Sequence, residues 1–148
     1  MLDKIDKQIL KILQENSRTT NISISQAVGL APSGTLKRIK KLEEEGVITR
    51  YALGLKKDFF DLNVMAFVFI KTETSYPDSV VEELLKVPNV LEAHAVVGEY
   101  SFIVKIVAKS PDHLLNIIQG FSTIPQLLFT NTNIVLNTYD ENNNIPLN

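Results

Sequence analysis

The chain has 148 residues, 45% of them apolar and 22% charged, with a formal net charge of −2 and neither Cys nor Trp. That is the composition of a folded globular protein, and the lack of Cys excludes disulfides, zinc ribbons, thiol nucleophiles and thiolate-bound clusters. Two distant His residues leave little for a metal cage, so neither a metal nor a cofactor is expected.

No apolar run approaches the roughly 18–20 residues of a membrane span, and the start "MLDKIDKQIL" places acids where a signal peptide needs a basic and then an apolar stretch. A cytoplasmic protein without a membrane partner is expected. The small net charge hides an asymmetry. Through Lys57 there are 11 basic and 6 acidic residues; from Asp58 onward there are 4 and 11. The first third, at +5, is the part suited to a polyanion, and the remainder, at −7, is not.

In chain order, Leu2, Ile5, Ile9 and Ile12 recur at helical spacing, and Asp3 followed by Asp6 resembles a capping arrangement, which predicts a helix from Asp3 to Glu15. A polar break follows. In "ISISQAVGL", Ile24, Ala27 and Val28 predict a short helix ended by Gly29. "APSGTLKRIKKLEEEG" predicts a third helix, with Pro32 at its first position, a buried stripe of Leu36, Ile39 and Leu42, and a stop at Gly46. Helix, short helix, tight turn and helix form a helix-turn-helix pattern. The alternation in "VITRYALGL" then predicts a small β-wing.

Beyond "DFFDLN" the pattern changes to strand, helix, strand, turn, strand, helix, strand. The predicted strands are "VMAFVFIK", "VLEAHAVV", "SFIVKIVA" and "NTNIVLNT", and the predicted helices are 78–86 and 111–121. That order is the ferredoxin-like βαββαβ unit. The fold class is therefore α+β, with a winged helix-turn-helix domain at 1–53, a linker at 54–63, a ferredoxin-like domain at 64–138 and a polar tail at 139–148. Val64 to Ile70 is apolar at every position, which predicts a sheet covered on both faces, the second cover being another subunit.

The third helix places Ser33, Lys37, Lys40 and Lys41 on one side with Arg38 flanking, and Gly34 and Thr35 complete its first turn. An apolar underside with long cations and short polar groups near the start is what a helix in the major groove of double-stranded DNA needs. A solvated lysine face is the bland alternative. It loses to three coinciding features: the helix-turn-helix spacing, the regional charge, and Arg50 and Tyr51 on the following wing.

"LDKIDKQILKIL", "GLAPSGTLKRIKKLEEEGVI", "HAVVGEYSFIVKIVA" and "TNIVL" together resemble the Lrp/AsnC family of bacterial and archaeal transcription regulators, from Leu2 to about Asn137. The resemblance implies a DNA-binding domain joined to a dimerising, effector-sensing domain, and dimers that build tetramers or octamers. It also implies that a small amino acid binds beside "VVGEYS", between dimers. Gly98, Glu99 and Tyr100 match the family's segment there; Ser101 stands where the family usually has Asp. Thr130, Thr132 and Tyr76 are the further candidate effector contacts.

Three other departures concern the recognition helix and the linker. Ala31 replaces the usual Ser and removes a side-chain N-cap, a loss of about 1 kcal/mol, and Gly34 inside the helix costs roughly as much again. A loose first turn is expected from both. Asn63 stands in for a usual Gly.

His94 reads as an interface or surface residue and His113 as solvent-exposed. No Gly-x-Ser-x-Gly elbow, phosphate-cradling loop or helical His pair is present, so no catalytic residue is assigned and no enzyme is expected. Two competing readings stay open: a siroheme-decarboxylase-like enzyme of the same shape, disfavoured because no Arg follows Leu53, and an effector-sensing assembly module that has lost DNA binding.

Overall fold

The first helix, α1 (Lys4–Glu15), begins where the sequence predicts it. Asp3 accepts from the Asp6 amide at 2.8 Å and Asp6 accepts from the Asp3 amide at 3.1 Å, a reciprocal capping box. These contacts and those below belong to a computed structural model that describes residues 2–141 and 144–147. By internal contacts the chain forms two units, Met1–Gly54 with Asp140–Asn148, and Leu55–Tyr139. Of the predicted polar tail, residues 142, 143 and 148 lie outside the described residues.

Three helices make the first unit: α1, α2 (Asn21–Val28) and α3 (Pro32–Glu44). Thr20 caps α2 by accepting from the Ser23 amide, and Gly29, at φ 70°, ends it in the left-handed conformation that Gly adopts without steric cost. Ile9, Leu10, Ile24 and Leu42 are buried together, with Ile5, Ile12, Leu13, Val28 and Ile39 packed around them.

Two expectations for this unit change. The buried stripe of α3 is Thr35 and Leu42 with Ile39 half-buried, whereas Leu36 is 45% exposed. Spacings of 35, 39, 42 and of 36, 39, 42 both suit a helix face, and packing selects the first. The expected β-wing is also not a strand: 47–54 carries no sheet pairing among the described residues. Its start instead closes α3, the Val47 and Ile48 amides both donating to the Leu42 carbonyl. A hairpin needs a second strand, and "VITRYALGL" has none to pair with in this unit.

The second unit runs β1 (Val64–Thr72), α4 (Asp78–Leu85), β2 (Val90–Ala95), β3 (Phe102–Ala108), α5 (Pro111–Gly120) and β4 (Leu127–Ile134). The sheet is antiparallel with strand order β2-β3-β1-β4, the ferredoxin-like arrangement expected from the sequence. The last strand is four residues earlier than predicted. Its leading residues Leu127, Leu128 and Phe129 pair with Thr72 and Lys71 across a bulge, and the Asn-rich "NTNIVLNT" misled the reading.

Ala66, Val68 and Ile70 of β1, Phe102, Val104 and Ile106 of β3, Val80 and Leu84 of α4, Leu114 of α5 and Phe121 are all buried in one core. Met65, Phe67, Phe69 and Lys71 alternate onto the other face, where helices do not cover them. Val64 to Ile70 is apolar throughout because both faces of β1 carry hydrophobic residues, yet only one is covered within the chain. Phe67 is left 36% exposed and Phe129 of β4 49%.

Candidate functional site

Helix α3 turns its buried residues inward at Thr35 and Leu42, and about 100° per residue then places Ser33, Lys37 and Lys40 on the opposite ridge. All three are exposed. Lys37 and Lys40 make no ion pair or hydrogen bond among the described residues, so their charges are available to an anion. Lys41 lies to one side, in an exposed contact with Glu45 at 3.7 Å. The run Glu43, Glu44 and Glu45 makes the end of the helix acidic, which leaves its N-terminal half as the part a phosphate backbone would tolerate.

The other sequence-assigned residues are placed differently. The Thr35 side chain is fully buried and its hydroxyl donates to the Ala31 carbonyl at 3.3 Å, so it is not presented to a ligand. Gly34 is half-exposed on the flank of the helix. Ala31 makes no side-chain cap, as expected, but the start of α3 is tied across to α2 by Asn21, whose amide donates to the Pro32 carbonyl at 2.8 Å. That bond opposes the loose first turn. Tyr51 donates to Glu43 at 2.7 Å and holds the segment after α3 against it; burial and the Glu43 carboxylate together push its phenol up to about 12. Arg50, beside it, is exposed.

Arg38 is engaged within the unit. Its guanidinium lies 2.6 Å from Asp3 and 2.7 Å from Asp6, across 35 and 32 residues of sequence. The Asp6 amide first, and then the guanidinium, hold the Asp3 carboxyl below its ordinary value of 3.8. A carboxyl lowered in the folded state contributes stability above its unfolded pKa and loses it as pH falls through the folded one. Arg38→Gln is therefore expected to destabilise the first unit at neutral pH and to narrow the drop in urea midpoint between neutral pH and about pH 3. An unchanged drop would show that Arg38 does not support Asp3.

In the second unit the candidate effector segment is the connection between β2 and β3. Gly98 sits at φ 148°, a conformation that a side chain rarely adopts, and its backbone is open on the side where a Cβ would be. The loop is tied down on both sides. Lys71 of β1 donates from Nζ to the Glu99 carbonyl at 2.7 Å, and the Tyr76 hydroxyl donates to the Val96 carbonyl at 3.0 Å. Tyr76 holds a left-handed backbone at φ 57°, which costs about 1 kcal/mol or more, and its ring meets Phe102 edge-on at 6.1 Å.

Ser101 is turned inward. It is 7% exposed, its hydroxyl lies 2.8 Å from that of Thr72, and its amide donates to the Ile70 carbonyl at 2.8 Å. An Asp at this position would place a carboxylate in that buried hydroxyl pair, so Ser here is a packing choice as well as a loss of charge. Tyr100 points to the uncovered sheet face, between Phe69 at 5.3 Å and Phe129 at 6.1 Å, and accepts from the Asn131 amide at 3.2 Å.

The structure therefore gathers Tyr76, Gly98, Glu99 and Ser101 at one end of the sheet, with Thr130 across Ile70 from Ser101 and Thr132 two residues further along β4. Those two lie opposite Ile70 and Val68 on the edge strand β4, sharing the face that the helices cover, whereas Tyr100 is on the other. Sequence reading missed Lys71 and Thr72, which join the loop to β1. Their signal was the abrupt polar pair closing "VMAFVFIKT".

Residues 2–49 match the winged helix-turn-helix DNA-binding model, and residues 65–145 match the Lrp/AsnC ligand binding domain model. The HTH-type transcriptional regulator FL11 of Pyrococcus horikoshii is 34% identical over 146 residues, covering 99% of this chain and 97% of its own. Among solved structures, the complex of transcriptional regulator NMB0573 from Neisseria meningitidis with L-Met superposes with a TM-score of 0.94 at 28% identity, covering 100% and 98% of the two chains. AsnC of E. coli superposes with a TM-score of 0.88 at 26% identity, covering 95% and 96%. Both models match in order along the chain, and a transcriptional regulator is 34% identical over nearly its whole length: the chain belongs to the Lrp/AsnC family and is a transcriptional regulator with a DNA-binding and an effector-binding domain.

Proposed function

We propose that Ser33, Lys37 and Lys40 carry the protein's contact with the DNA major groove, the two lysines on the phosphates that line it, with Lys41 and Arg50 reaching phosphates on its flanks. Arg38 holds the helix at its proper angle rather than touching DNA. The observation that carries this reading is that Lys37 and Lys40, on the ridge opposite Thr35 and Leu42, are unpaired among the described residues, next to an Arg38 already engaged by two carboxylates. Gly34, Thr35 and Tyr51 act by shaping the helix and the segment after it.

The second unit pairs two copies of the chain through the open sheet face, Met65, Phe67 and Phe69 supplying its apolar centre. A homodimer presents two copies of α3, which calls for a partly palindromic site with half-sites about one helical turn, or a multiple, apart. The loop from Val96 to Ser101 takes a small-molecule effector of amino-acid type, its carboxylate meeting the backbone beside Gly98. Glu99, next to Gly98 in the loop, is the acid offered to the ammonium group, in place of the family's Asp. The protein works by binding, not catalysis, in the cytoplasm where its DNA lies. An effector then shifts the population of assemblies only by its difference in affinity for them.

Selection of bound genomic fragments by the full chain, alone and with each common amino acid, tests the reading. Enrichment of one partly palindromic motif, with recovery changed by at least one amino acid, is the expected result. Recovery of random fragments would overturn the assignment of α3, and recovery indifferent to every amino acid would overturn the effector class.

A further inference from the structure

Leu36 is the residue of α3 whose placement the core does not explain. Thr35, fully buried, and Leu42, 2% exposed, already supply the inward face, with Ile39 between them. Leu36, one position after Thr35, is carried about 100° away and left 45% exposed. Its neighbours on the helix surface are Ser33, three residues before it, and Lys40, four after it. Both are exposed residues of the ridge assigned above to the DNA groove.

A single exposed leucine on a solvated face is common and means little. This one lies in the N-terminal half of the helix, beside cations that would draw it against a nucleic acid. A leucine there can neither donate nor accept a hydrogen bond, so it cannot read the donor and acceptor pattern of base edges. The major-groove edge has one apolar group, the C5-methyl of thymine. Set against any other base, Leu36 would desolvate a polar edge without replacing its bonds, which adds discrimination against the wrong base to attraction for the right one.

We propose that Leu36 is a specificity-determining residue that reads a thymine methyl group in each half-site of the operator. The inference rests on the reading of α3 as the DNA-contacting helix. It names the base chemistry that this helix prefers, and it separates Leu36, which chooses sequence, from Lys37 and Lys40, which bind any duplex.

The test replaces each thymine of the selected operator in turn by deoxyuridine, which removes only the methyl group, and measures binding of the full chain and of Leu36→Ala. For the unaltered chain, one thymine in each half-site should weaken binding about fourfold on loss of its methyl, the factor that burying one such group gives. Leu36→Ala should bind thymine and deoxyuridine at that position equally while keeping its thermal unfolding midpoint, because the side chain is outside the core. Binding of the unaltered chain that no deoxyuridine weakens overturns this inference alone, as does a fourfold effect that survives in Leu36→Ala. A chain that selects no DNA overturns both this inference and the helix assignment beneath it.

Discussion

Replacing Lys37 and Lys40 together by alanine is expected to lower DNA affinity by about three orders of magnitude at about 0.1 M salt and to flatten its salt dependence. Each phosphate contact contributes about 0.9 to the slope of log affinity against log salt, so two lost per helix, in an assembly presenting two helices, remove about 3.6. Among the described residues neither lysine takes part in an ion pair, and both are exposed, so their removal breaks none of these contacts. Alanine is also the best helix former. Filter binding over a salt series reads the slope directly; a slope equal to that of the unaltered chain would mean that the lysines are merely solvated. Arg38→Gln is the contrasting variant, since its first effect is on stability.

Phe67→Glu combined with Phe69→Glu is expected to reduce the particle to the 16.6 kDa of one chain in sedimentation experiments at micromolar concentration. The two rings stand on the sheet face opposite the core, so the buried residues Ala66, Val68 and Ile70 keep their packing. Lys105, directly across from Phe67, already pairs with Glu92 at 3.2 Å, and Phe69 faces Ile103 and Asn131, which carry no charge. An unpaired carboxylate buried between two sheets costs several kcal/mol. DNA affinity should fall with the mass, because the two recognition helices would no longer be linked. A particle of undiminished mass with unchanged circular dichroism would place the interface elsewhere.

How much of this was legible in advance depends on how local the cause is. The capping box of Asp3 and Asp6, the stop at Gly29 and the βαββαβ order all follow from short-range signals, and all are present. Thr35 and Leu36 exchanged roles because threonine has a methyl group as well as a hydroxyl. Once that hydroxyl bonds to the Ala31 carbonyl, the methyl fills a core position as a valine would. The wing failed for want of a partner strand, and β4 began early because its pairing with β1, not its own composition, decides where it starts.

The candidate sites follow the same rule. The lysine ridge was visible as a helical pattern, and the glycine of the loop as a turn between two apolar runs. The pairing of Arg38 with acids at the far end of the unit was invisible, as was the inward turn of Ser101 toward Thr72, because both partners are 29 or more residues away. Side-chain type suggested a DNA contact and an effector contact; tertiary partners engage both groups otherwise.

Among the described residues, the four carboxylate oxygens of Asp3 and Asp6 each accept one hydrogen bond. Two accept from the helix's own first amides and two from the guanidinium of α3. Fraying of the first turn of α1 therefore takes away both acceptors of Arg38 in the same event, and release of Arg38 takes away the one cation that offsets both capping carboxylates. The start of the chain and the middle of the recognition helix should open as one cooperative unit, with matched amide-exchange rates, although nothing in the backbone joins them.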